Sequence, residues 1–423
     1  MSTVLELDRR HVWHPYTQHG DAPPPLVISR GTGAYLYDET GREIFDAISS
    51  WWVTLHGHAH PAIAAAIARQ AAILEQVIFA PFTHEPASEL AAALVERLPP
   101  GLTRVFFSDD GSTAVEVALK VALQYFTNQG EHRPLVAALD SAYHGDTFGA
   151  MSAGARGLFT DPFASHLFEV ARLPDPSVDA PGCLAALDRL LDQRGEQVAA
   201  LIVEPLLLGA GGMRMWDGAT LRAMRERTKA AGVLLIADEV LTGFGRTGAL
   251  FACSAAGVSP DIICLSKGLT GGFLPLGATV TTEAVFEAFR AADRRRAFFH
   301  GHSYTANPIA CAAALASLAL LDQRSADARD RIGHTHGERL ARLARCSGVR
   351  HCRSLGTVAA FDLAGETGYL SPVGPELAAF ALQRGVLLRP LGNVVYLLPP
   401  YCATTDDLDR AYNVIEAFLS RSA

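Results

Sequence analysis

The chain has 423 residues, of which 49% are hydrophobic and 19% are charged, and its formal net charge is −8. This composition is typical of a packed globular protein and excludes a disordered chain, and the length suits two domains of about 100–200 residues each. The densest basic run, Arg294–Arg296, is too short for a nucleic-acid-binding block and is typical of a solvated surface.

Seven cysteines without a C-x-x-C spacing provide neither a metal template nor a disulfide framework. They are typical of the reduced thiols of a cytoplasmic protein. The first residues contain no apolar signal core, and the longest nearly apolar run, Pro308–Leu321, is shorter than the roughly 18 residues that suggest a membrane span. We therefore expect a cytoplasmic protein with no metal, no membrane partner and no nucleic-acid partner.

The first segment, residues 1–49, is assigned to a smaller domain because its pattern predicts antiparallel structure. Apolar and polar residues alternate around Asp38–Gly41, which indicates a hairpin of Ala34–Tyr37 and Glu43–Asp46. Such a hairpin fits poorly inside a doubly wound sheet. Apolar residues at helical spacing then predict helices that start at about Pro61 and that cover Ser88–Leu98.

Residues 50–323 predict a large domain in which strands and helices alternate. This alternation favours an α/β fold with a mostly parallel central sheet. After Asn307-Pro308, a typical helix start, an Ala- and Leu-rich helix runs to about Leu321. The other predicted elements are strands at Val105–Phe107, Leu135–Ala138, Val198–Val203, Val233–Asp238 and Ile262–Leu265, a helix that opens at Gly111 and a helix over Leu221–Ala231.

Residues 324–423 predict an α+β segment, so the smaller domain is built from both ends of the chain. The predicted elements are a helix near Ala326–Leu343, strands at Val349–Arg353 and Thr357–Leu363, a helix at Pro375–Gln383, and strands at Val386–Leu388 and Val394–Leu398.

Two charged residues end buried strands of the predicted parallel sheet. Asp238 ends one apolar run, and Lys267 follows another shortly after it. Open α/β sheets bind their ligands at the carboxyl ends of their strands. A lysine and an aspartate placed there match a pyridoxal phosphate site, in which the amine forms a Schiff base with the aldehyde and the carboxylate keeps the pyridine nitrogen protonated. The alternative interpretation is a buried ion pair.

Other segments follow predicted strands at the same edge. Ser108–Ser112 separates a strand from a helix, where Gly111 and the first helical amides suit an anion, although Ser112 is equally suited to capping the helix. Tyr143 and His144 follow the next strand, and Tyr143 is placed either to cover a flat cofactor or to pack at a domain seam. Glu204 ends another strand and is interpreted either as a residue that orients a neighbour by hydrogen bonding or as an acid behind the residues that touch the ligand, and not as a catalytic residue.

Two arginines are candidates for binding a substrate carboxylate. Arg389 lies between two predicted strands of the smaller domain and is suited to a bidentate contact, with a structural ion pair as the alternative. Arg246, in GFGRTG, is a less specific candidate. The glycine-rich segment Gly209–Gly212 lacks the G-x-G-x-x-G spacing of a dinucleotide loop, and that interpretation is rejected.

Several segments together resemble the class III aminotransferases. The resemblance is carried by DEVLTGFGRTG and LSKGLTGG, with SDDGSTAVEVALK and AYHGDTFGAMS before them and FFHGHSYTANPIACA after them. It extends over nearly the whole chain. It implies a pyridoxal-phosphate enzyme of fold type I with a large domain, a smaller α+β domain, and active sites shared between the two subunits of a homodimer.

The resemblance also implies roles for individual residues. Lys267 holds the cofactor and moves a proton, Asp238 pairs with the pyridine nitrogen, and Tyr143 stacks on the ring, so these three are the expected catalytic residues. The further expected cofactor contacts are Gly111, Ser112, His144, His302 and, from the partner chain, Ser303. The expected substrate contacts are Tyr16, Trp51, Trp52, Tyr143, Gly301, Arg389 and Arg246.

Finer segments indicate the substrates. HVWHPYTQ, SSWWVTLHGHAHP, GAGGMRMW and LLRPLGNVVYLLPPY resemble family members that transfer the amino group of S-adenosylmethionine to 7-keto-8-aminopelargonate (8-amino-7-oxononanoate) in biotin biosynthesis. The alternatives are a lysine-donor variant, an ω-amino acid:pyruvate aminotransferase, or a non-catalytic ligand-binding protein of this fold. The segment His300–Tyr304 reads HGHSY where the family usually has HGPTF, and Leu208 stands where a glutamine is common.

Overall fold

The computed structural model describes residues 3–20 and 22–421. Its strands are β1 (Ile28–Thr32), β2 (Tyr35–Asp38), β3 (Glu43–Asp46), β4 (Leu102–Ser108), β5 (Leu135–Leu139), β6 (Val170–Leu173), β7 (Val198–Val203), β8 (Leu207–Leu208), β9 (Arg214–Met215), β10 (Leu234–Asp238), β11 (Ile262–Leu265), β12 (Gly277–Thr282), β13 (Val349–Leu355), β14 (Val358–Leu363), β15 (Val386–Leu387) and β16 (Val394–Leu397).

The α-helices are also numbered in chain order, and they surround the strands. They are α1 (Val4–His11), α2 (Ser49–Trp52), α3 (Pro61–Ala71), α4 (Glu85–Val95), α5 (Gly111–Asn128), α6 (Phe148–Ala153), α7 (Pro176–Arg194), α8 (Gly218–Ala230), α9 (Ala252–Ala256), α10 (Glu283–Glu287), α11 (Pro308–Ala319), α12 (Gln323–Leu343), α13 (Val373–Gln383) and α14 (Thr405–Leu419).

A seven-stranded sheet forms the centre of the molecule, in the order β4-β12-β11-β10-β7-β5-β6. Six of its strands run in one direction, and β12 runs antiparallel to both of its neighbours. Every residue of β5, β7, β10 and β11 is buried, because helices cover both faces of the sheet. The predicted α/β fold with a mostly parallel sheet is confirmed.

One smaller sheet, in the order β1-β2-β3-β15, combines strands from the beginning and the end of the chain. The hairpin of β2 and β3 is antiparallel as predicted, and β3 pairs in parallel with β15 through Phe45 and Val386. A separate antiparallel sheet has the order β13-β14-β16. These pairings support the proposed origin of the smaller domain from both chain ends, whereas the boundaries 1–49, 50–323 and 324–423 stay a prediction.

Several elements were absent from the predicted set. The sequence does not predict strand β12, which lies between β4 and β11 in the central sheet, or the helices α1, α7 and α14. The helix expected over Ser88–Leu98 instead runs from Glu85 to Val95. His84 explains that shift, because its Nδ1 accepts a hydrogen bond from the amide of Ala87 and so begins the helix earlier.

Within the described ranges, no single helix combines the length and apolarity needed to cross a bilayer. Helices α11 and α12 meet that test only as a pair bent by 72°.

Candidate active site

The ends of two adjacent parallel strands bring Asp238 and Lys267 together. Strands β10 and β11 pair in register through Ile236 and Ile262, so the residues that follow them lie at one edge of the sheet. Lys267 has a positive φ of 42°, a conformation that costs free energy in a residue with a side chain and is found mainly at functional sites. Both residues line the same cavity, as predicted.

Two hydrogen bonds fix the Asp238 carboxylate. Its Oδ2 lies 2.7 Å from Nδ1 of His144, and its Oδ1 accepts from the Val240 amide at 3.1 Å. The other ring nitrogen of His144, Nε2, is buried and has no hydrogen-bond partner among the described residues. The structure thus places His144 against Asp238, where the imidazole sets the orientation of the carboxylate.

Glu204 is a third acid at this edge, immediately after β7. Its side chain is buried, and its two oxygens accept hydrogen bonds from the amides of Tyr143 and Gly209, each at 2.9 Å. Burial, opposed by the attraction of His144 and reinforced by the charge of Asp238, raises the pKa of Glu204 to about 7. Its role is the predicted one of holding neighbours, since it joins the Tyr143 loop to the Gly209 turn.

Removal from bulk water lowers the pKa of Lys267, while Asp238 and Glu204 act in the opposite direction. The Lys267 Nζ lies 5.1 Å from the centre of the Trp52 ring. A neutral amine can form a covalent bond to an aldehyde and can accept a proton, and an ammonium group can do neither. The site therefore favours the form of Lys267 that its predicted role requires.

The amino end of α5 lines the same cavity, at the end away from Asp238 and Lys267. Asp110 caps this helix through a 2.8 Å bond to the Thr113 amide, so the amides of Gly111 and Ser112 remain directed outward without intrahelical acceptors. A Cβ at Gly111 would lie 2.6 Å from Cγ1 of Val240, so only glycine fits there. A phosphate suits this position because the amides and the helix dipole attract an anion.

The cavity between these two ends has a volume of about 660 Å³. Trp52 forms part of its inner wall, held by a 2.9 Å bond from its indole nitrogen to the Tyr396 hydroxyl, and Trp51 lies at its mouth. In this segment Ser49, Ser50 and Trp52 all have positive φ values, so the backbone is strained where it displays the two indoles.

Tyr16 and Arg389 lie beside Trp51 at the mouth. The Arg389 guanidinium carbon is 4.2 Å from the centre of the Trp51 ring and 5.9 Å from that of Tyr16. Its side chain forms no hydrogen bond or ion pair with another residue of the described ranges. Arg389 therefore has no carboxylate partner for a structural ion pair within the described ranges, and its guanidinium remains available for an anion.

The Tyr16 hydroxyl donates a 2.5 Å hydrogen bond to Asp146, and burial together with this bond raises the pKa of Tyr16 to about 12. Asp146 also lines the cavity, as does Thr147, yet neither was predicted. Both residues belong to the segment AYHGDT, which follows a buried strand, and in this segment only Tyr143 and His144 are predicted as site residues.

Four other predicted residues lie outside this cavity. Arg246 is 1% exposed and donates to the carbonyls of Pro399, Trp52 and Thr54, so it supports the wall from behind and its predicted contact with substrate has no support in this arrangement. Gly301, His302 and Ser303 belong to a loop outside the pocket of their own chain. His302 Nε2 lies 3.8 Å from Oδ1 of Asp109, a residue that lines the cavity.

Comparison with known families identifies the chain. The family described as Aminotransferase class-III matches residues 16–419. The chain belongs to the class III aminotransferases. This confirms the resemblance inferred from the sequence, and with it an enzyme that depends on pyridoxal 5′-phosphate.

The aminotransferase is similar over almost its full length to named relatives. It is 54% identical over 419 residues to the adenosylmethionine-8-amino-7-oxononanoate aminotransferase of Synechococcus elongatus, with 97% of this chain and 98% of that protein covered. A protein of the same name from Geobacter sulfurreducens is 39% identical, with 96% of this chain and 95% of the relative covered.

Solved structures agree in fold. The adenosylmethionine-8-amino-7-oxononanoate aminotransferase of Methanocaldococcus jannaschii superimposes with a TM-score of 0.93 at 34% identity, covering 97% of this chain and 98% of that one. A PLP-bound amine transaminase from an uncultivated Pseudomonas species has a TM-score of 0.90 at 33% identity, with 98% and 99% covered.

The residues present fit the cofactor at each of its ends. The outward amides of Gly111 and Ser112 suit its phosphate, the Asp238 carboxylate suits a protonated ring nitrogen, and Lys267 is partly buried between them. The unpartnered His144 Nε2 adds a polar atom on the same side as Asp238. Ring stacking by Tyr143 stays a prediction.

Proposed function

We propose that this aminotransferase transfers the amino group of S-adenosylmethionine to 8-amino-7-oxononanoate, forming 7,8-diaminopelargonate for biotin biosynthesis. The observation that carries the proposal is the end-to-end similarity to relatives whose names state these substrates, at 54% identity in the case of Synechococcus elongatus. The aromatic pocket around Trp51, Trp52 and Tyr16 is consistent with two bulky substrates that use one site in turn.

Lys267 moves the proton in this proposal. The side chain lies at the floor of the cavity, and its lowered pKa favours the neutral amine, which can accept a proton from the substrate carbon that carries nitrogen. When bound, pyridoxal phosphate carries the amino group between the two substrates and spreads the negative charge that arises at that carbon. The positive φ of Lys267 sets the direction in which its side chain leaves the backbone.

Asp238 and His144 together stabilise a positive charge on the ring nitrogen of the bound cofactor. A carboxylate fixed by two hydrogen bonds keeps a facing ring nitrogen protonated, and the 2.7 Å contact with His144 prevents the carboxylate from turning away. Glu204 contributes as a positioning residue, because it holds the Tyr143 loop at the edge of the cavity. Trp52 and Leu241 give the cavity apolar walls beside Lys267.

Arg389 is proposed to bind the carboxylate of a substrate at the cavity mouth. An unpaired guanidinium against an indole face can form two parallel hydrogen bonds to a carboxylate. The flat faces of Trp51 and Tyr16 then contact the aliphatic chain of the acceptor or the larger donor, since aromatic rings offer broad apolar contact without a demand for one shape.

We further propose that a second copy of the chain completes the site with Gly301, His302 and Ser303. Exposed apolar side chains surround this loop: Phe299 is 76% exposed, Tyr304 66%, Ile78 63% and Phe82 59%. Side chains of this size are expected to be covered by protein, and the loop is tied to the same surface through a 2.8 Å bond from Gln76 to the Ser303 carbonyl. A cytoplasmic location is part of the proposal and is supported by the seven free cysteines.

The test is a half-reaction with a single substrate. Purified enzyme loaded with pyridoxal phosphate is mixed with S-adenosylmethionine alone, and the visible absorbance of the bound cofactor is followed together with release of the corresponding 2-oxo acid. We expect loss of absorbance and one equivalent of 2-oxo acid for each site. Conversion by lysine or alanine, with no response to S-adenosylmethionine, would contradict the proposed donor and retain the aminotransferase.

A further inference from the structure

A second large cavity lies close to the active site, in the cleft between the two domains. Its volume is about 700 Å³, and it is lined from the large domain by Phe159, Val178 and Arg214 and from the smaller domain by Arg353 and Tyr369. A smaller cavity of about 120 Å³ lies between the two, because it shares Tyr143 and Asp146 with the active-site cavity and Phe159 with the cleft.

A row of aromatic rings leads from the active site to this cleft. Tyr16 lies 5.6 Å from Trp51 at the mouth of the active site and 5.8 Å from Phe159, and Phe159 contacts Tyr369 edge to face at 4.7 Å. Phe159 is 39% exposed and Tyr369 37% exposed. These two rings come from different domains and leave their faces accessible at the entrance of the cleft.

Both arginines of the cleft are paired with carboxylates. Arg214 is paired with Asp175 at 2.6 Å, and Arg353 is paired with Asp362 at 2.9 Å. Arg353 also donates to the carbonyls of Gly212, Met213 and His351, so its guanidinium has little capacity left for a ligand. Neither arginine is therefore free to bind a carboxylate or a phosphate, whereas an uncharged ligand with polar edges and a flat ring suits these walls.

We infer that the cleft binds the nucleoside end of the amino donor. This inference rests on the proposed function and extends it. The active-site cavity must hold the cofactor as well as the reacting end of the donor, so a nucleoside needs additional space, and the cleft provides it. The acceptor has a carboxylate at its far end, which suits the unpaired Arg389 and not the paired arginines of the cleft. The two substrates thus share the floor of the site and diverge at Tyr16.

A side chain that fills the cleft tests this inference. Val178 lines the cleft and is 77% exposed, so Val178→Trp adds bulk at a surface position where folding is retained. The matched control is Leu370→Trp, since Leu370 is 73% exposed and does not line the cleft. A second variant, Tyr369→Ala, removes an aromatic face instead of filling space.

The probe is 5′-methylthioadenosine, which has the nucleoside and lacks the amino acid, and its binding to the cofactor-loaded enzyme is measured by calorimetry. We expect Val178→Trp and Tyr369→Ala to weaken its binding by about tenfold, which corresponds to about 1.4 kcal/mol. The same variants should raise the S-adenosylmethionine concentration that gives half-maximal conversion. Conversion by S-methylmethionine, a sulfonium donor without a nucleoside, and binding of 8-amino-7-oxononanoate should be unchanged.

Equal binding of the probe to wild type, Val178→Trp and Tyr369→Ala would overturn the inference, as would equal losses for both sulfonium donors. The result is separable from the proposed function. If S-adenosylmethionine converts the wild-type cofactor and the variants bind the probe normally, the function stands and the cleft site falls. If S-adenosylmethionine converts nothing while probe binding is lost in the variants, the proposed donor falls and the cleft remains a nucleoside site.

Discussion

The pKa of Glu204 gives the most direct prediction for a single residue. Burial raises this pKa from its ordinary value of 4.5 to about 7, so the protonated acid is favoured in the folded chain. The associated stability is fully present below the pKa of the unfolded chain and is lost as pH rises through about 7. A neutral amide at this position has no such titration.

We therefore expect Glu204→Gln to change the pH dependence of stability in the cofactor-free enzyme. The difference in unfolding temperature, variant minus wild type, should increase by a few degrees between pH 4.5 and about 7 and stay constant on either side. The lost hydrogen bond to one backbone amide adds only a constant offset. Thermal unfolding over this pH range is the measurement, and a difference independent of pH would contradict the raised pKa.

The positions of residues that follow buried strands can be predicted from the sequence. The positions of residues that lie behind the wall of the cavity cannot. Asp238 and Lys267 were placed correctly because the carboxyl ends of adjacent parallel strands must meet at one edge. Arg246 illustrates the limit, since GFGRTG does not indicate whether its guanidinium points into the cavity or toward backbone carbonyls behind Trp52. The hydrogen bond between Tyr16 and Asp146 joins distant parts of the chain and has no local signal.

At the scale of the element, the capping residue of α5 connects helix stability to cofactor binding. The Asp110 side chain holds the first turn through the Thr113 amide, and this turn presents the amides expected to bind phosphate. Asp110→Ala removes both the cap and a negative charge. Asp110→Asn removes the charge and keeps a capping oxygen, so it is the matched control.

We expect Asp110→Ala to release pyridoxal phosphate about fivefold faster than Asp110→Asn, in line with a cap contribution of about 1 kcal/mol. The measurement is the dissociation rate of the cofactor after dilution into a scavenger. Asp217→Ala removes an equivalent cap from α8, where the side chain accepts from the Thr220 amide at 2.8 Å, and should destabilise the fold without changing that rate. Equal rates for the Ala and Asn variants at position 110 would show that the cap does not support the phosphate site.

Elements with a strong local pattern were predicted to within a few residues. Strand β11 was predicted with its observed bounds, because a short apolar run between Pro and Lys allows few alternatives. Strand β12 was missed since GATVTT follows a segment rich in glycine and proline and contains three threonines, a composition typical of loops as well as strands. The positive φ values around Trp52 depend on tertiary contacts such as that of Ser49 with the Leu398 carbonyl, which no local pattern predicts.

At the scale of the whole molecule, the pairing of β3 with β15 explains why one chain can place both Tyr16 and Arg389 at the mouth of the cavity. The two chain ends are joined by backbone hydrogen bonds, and residues near each end reach the same site across the large domain. The sequence predicted the α+β character of both ends, and the pairing partner followed only from the structure.

The proposed sharing of active sites between two copies makes a prediction about mixtures of inactive variants. Lys267→Ala removes the amine from the floor of its own site. A Cβ at Gly301 would meet only Thr305 Oγ1, at 3.7 Å, among the described residues, so a side chain can begin there without a clash. We expect the indole of Gly301→Trp to block the cavity of a partner. Each variant alone should therefore be inactive, one for want of the amine and the other through obstruction.

Refolding the two variants together should restore activity, because a mixed dimer contains one site with both Lys267 and an unmodified Gly301. Random reassortment makes half of the dimers mixed, each with one intact site of two, so about a quarter of wild-type activity is expected. Refolding each variant with itself is the control. Full activity of Gly301→Trp alone would remove Gly301 from any site, and failure of the mixture to recover would mean that Lys267 and Gly301 act in the same chain.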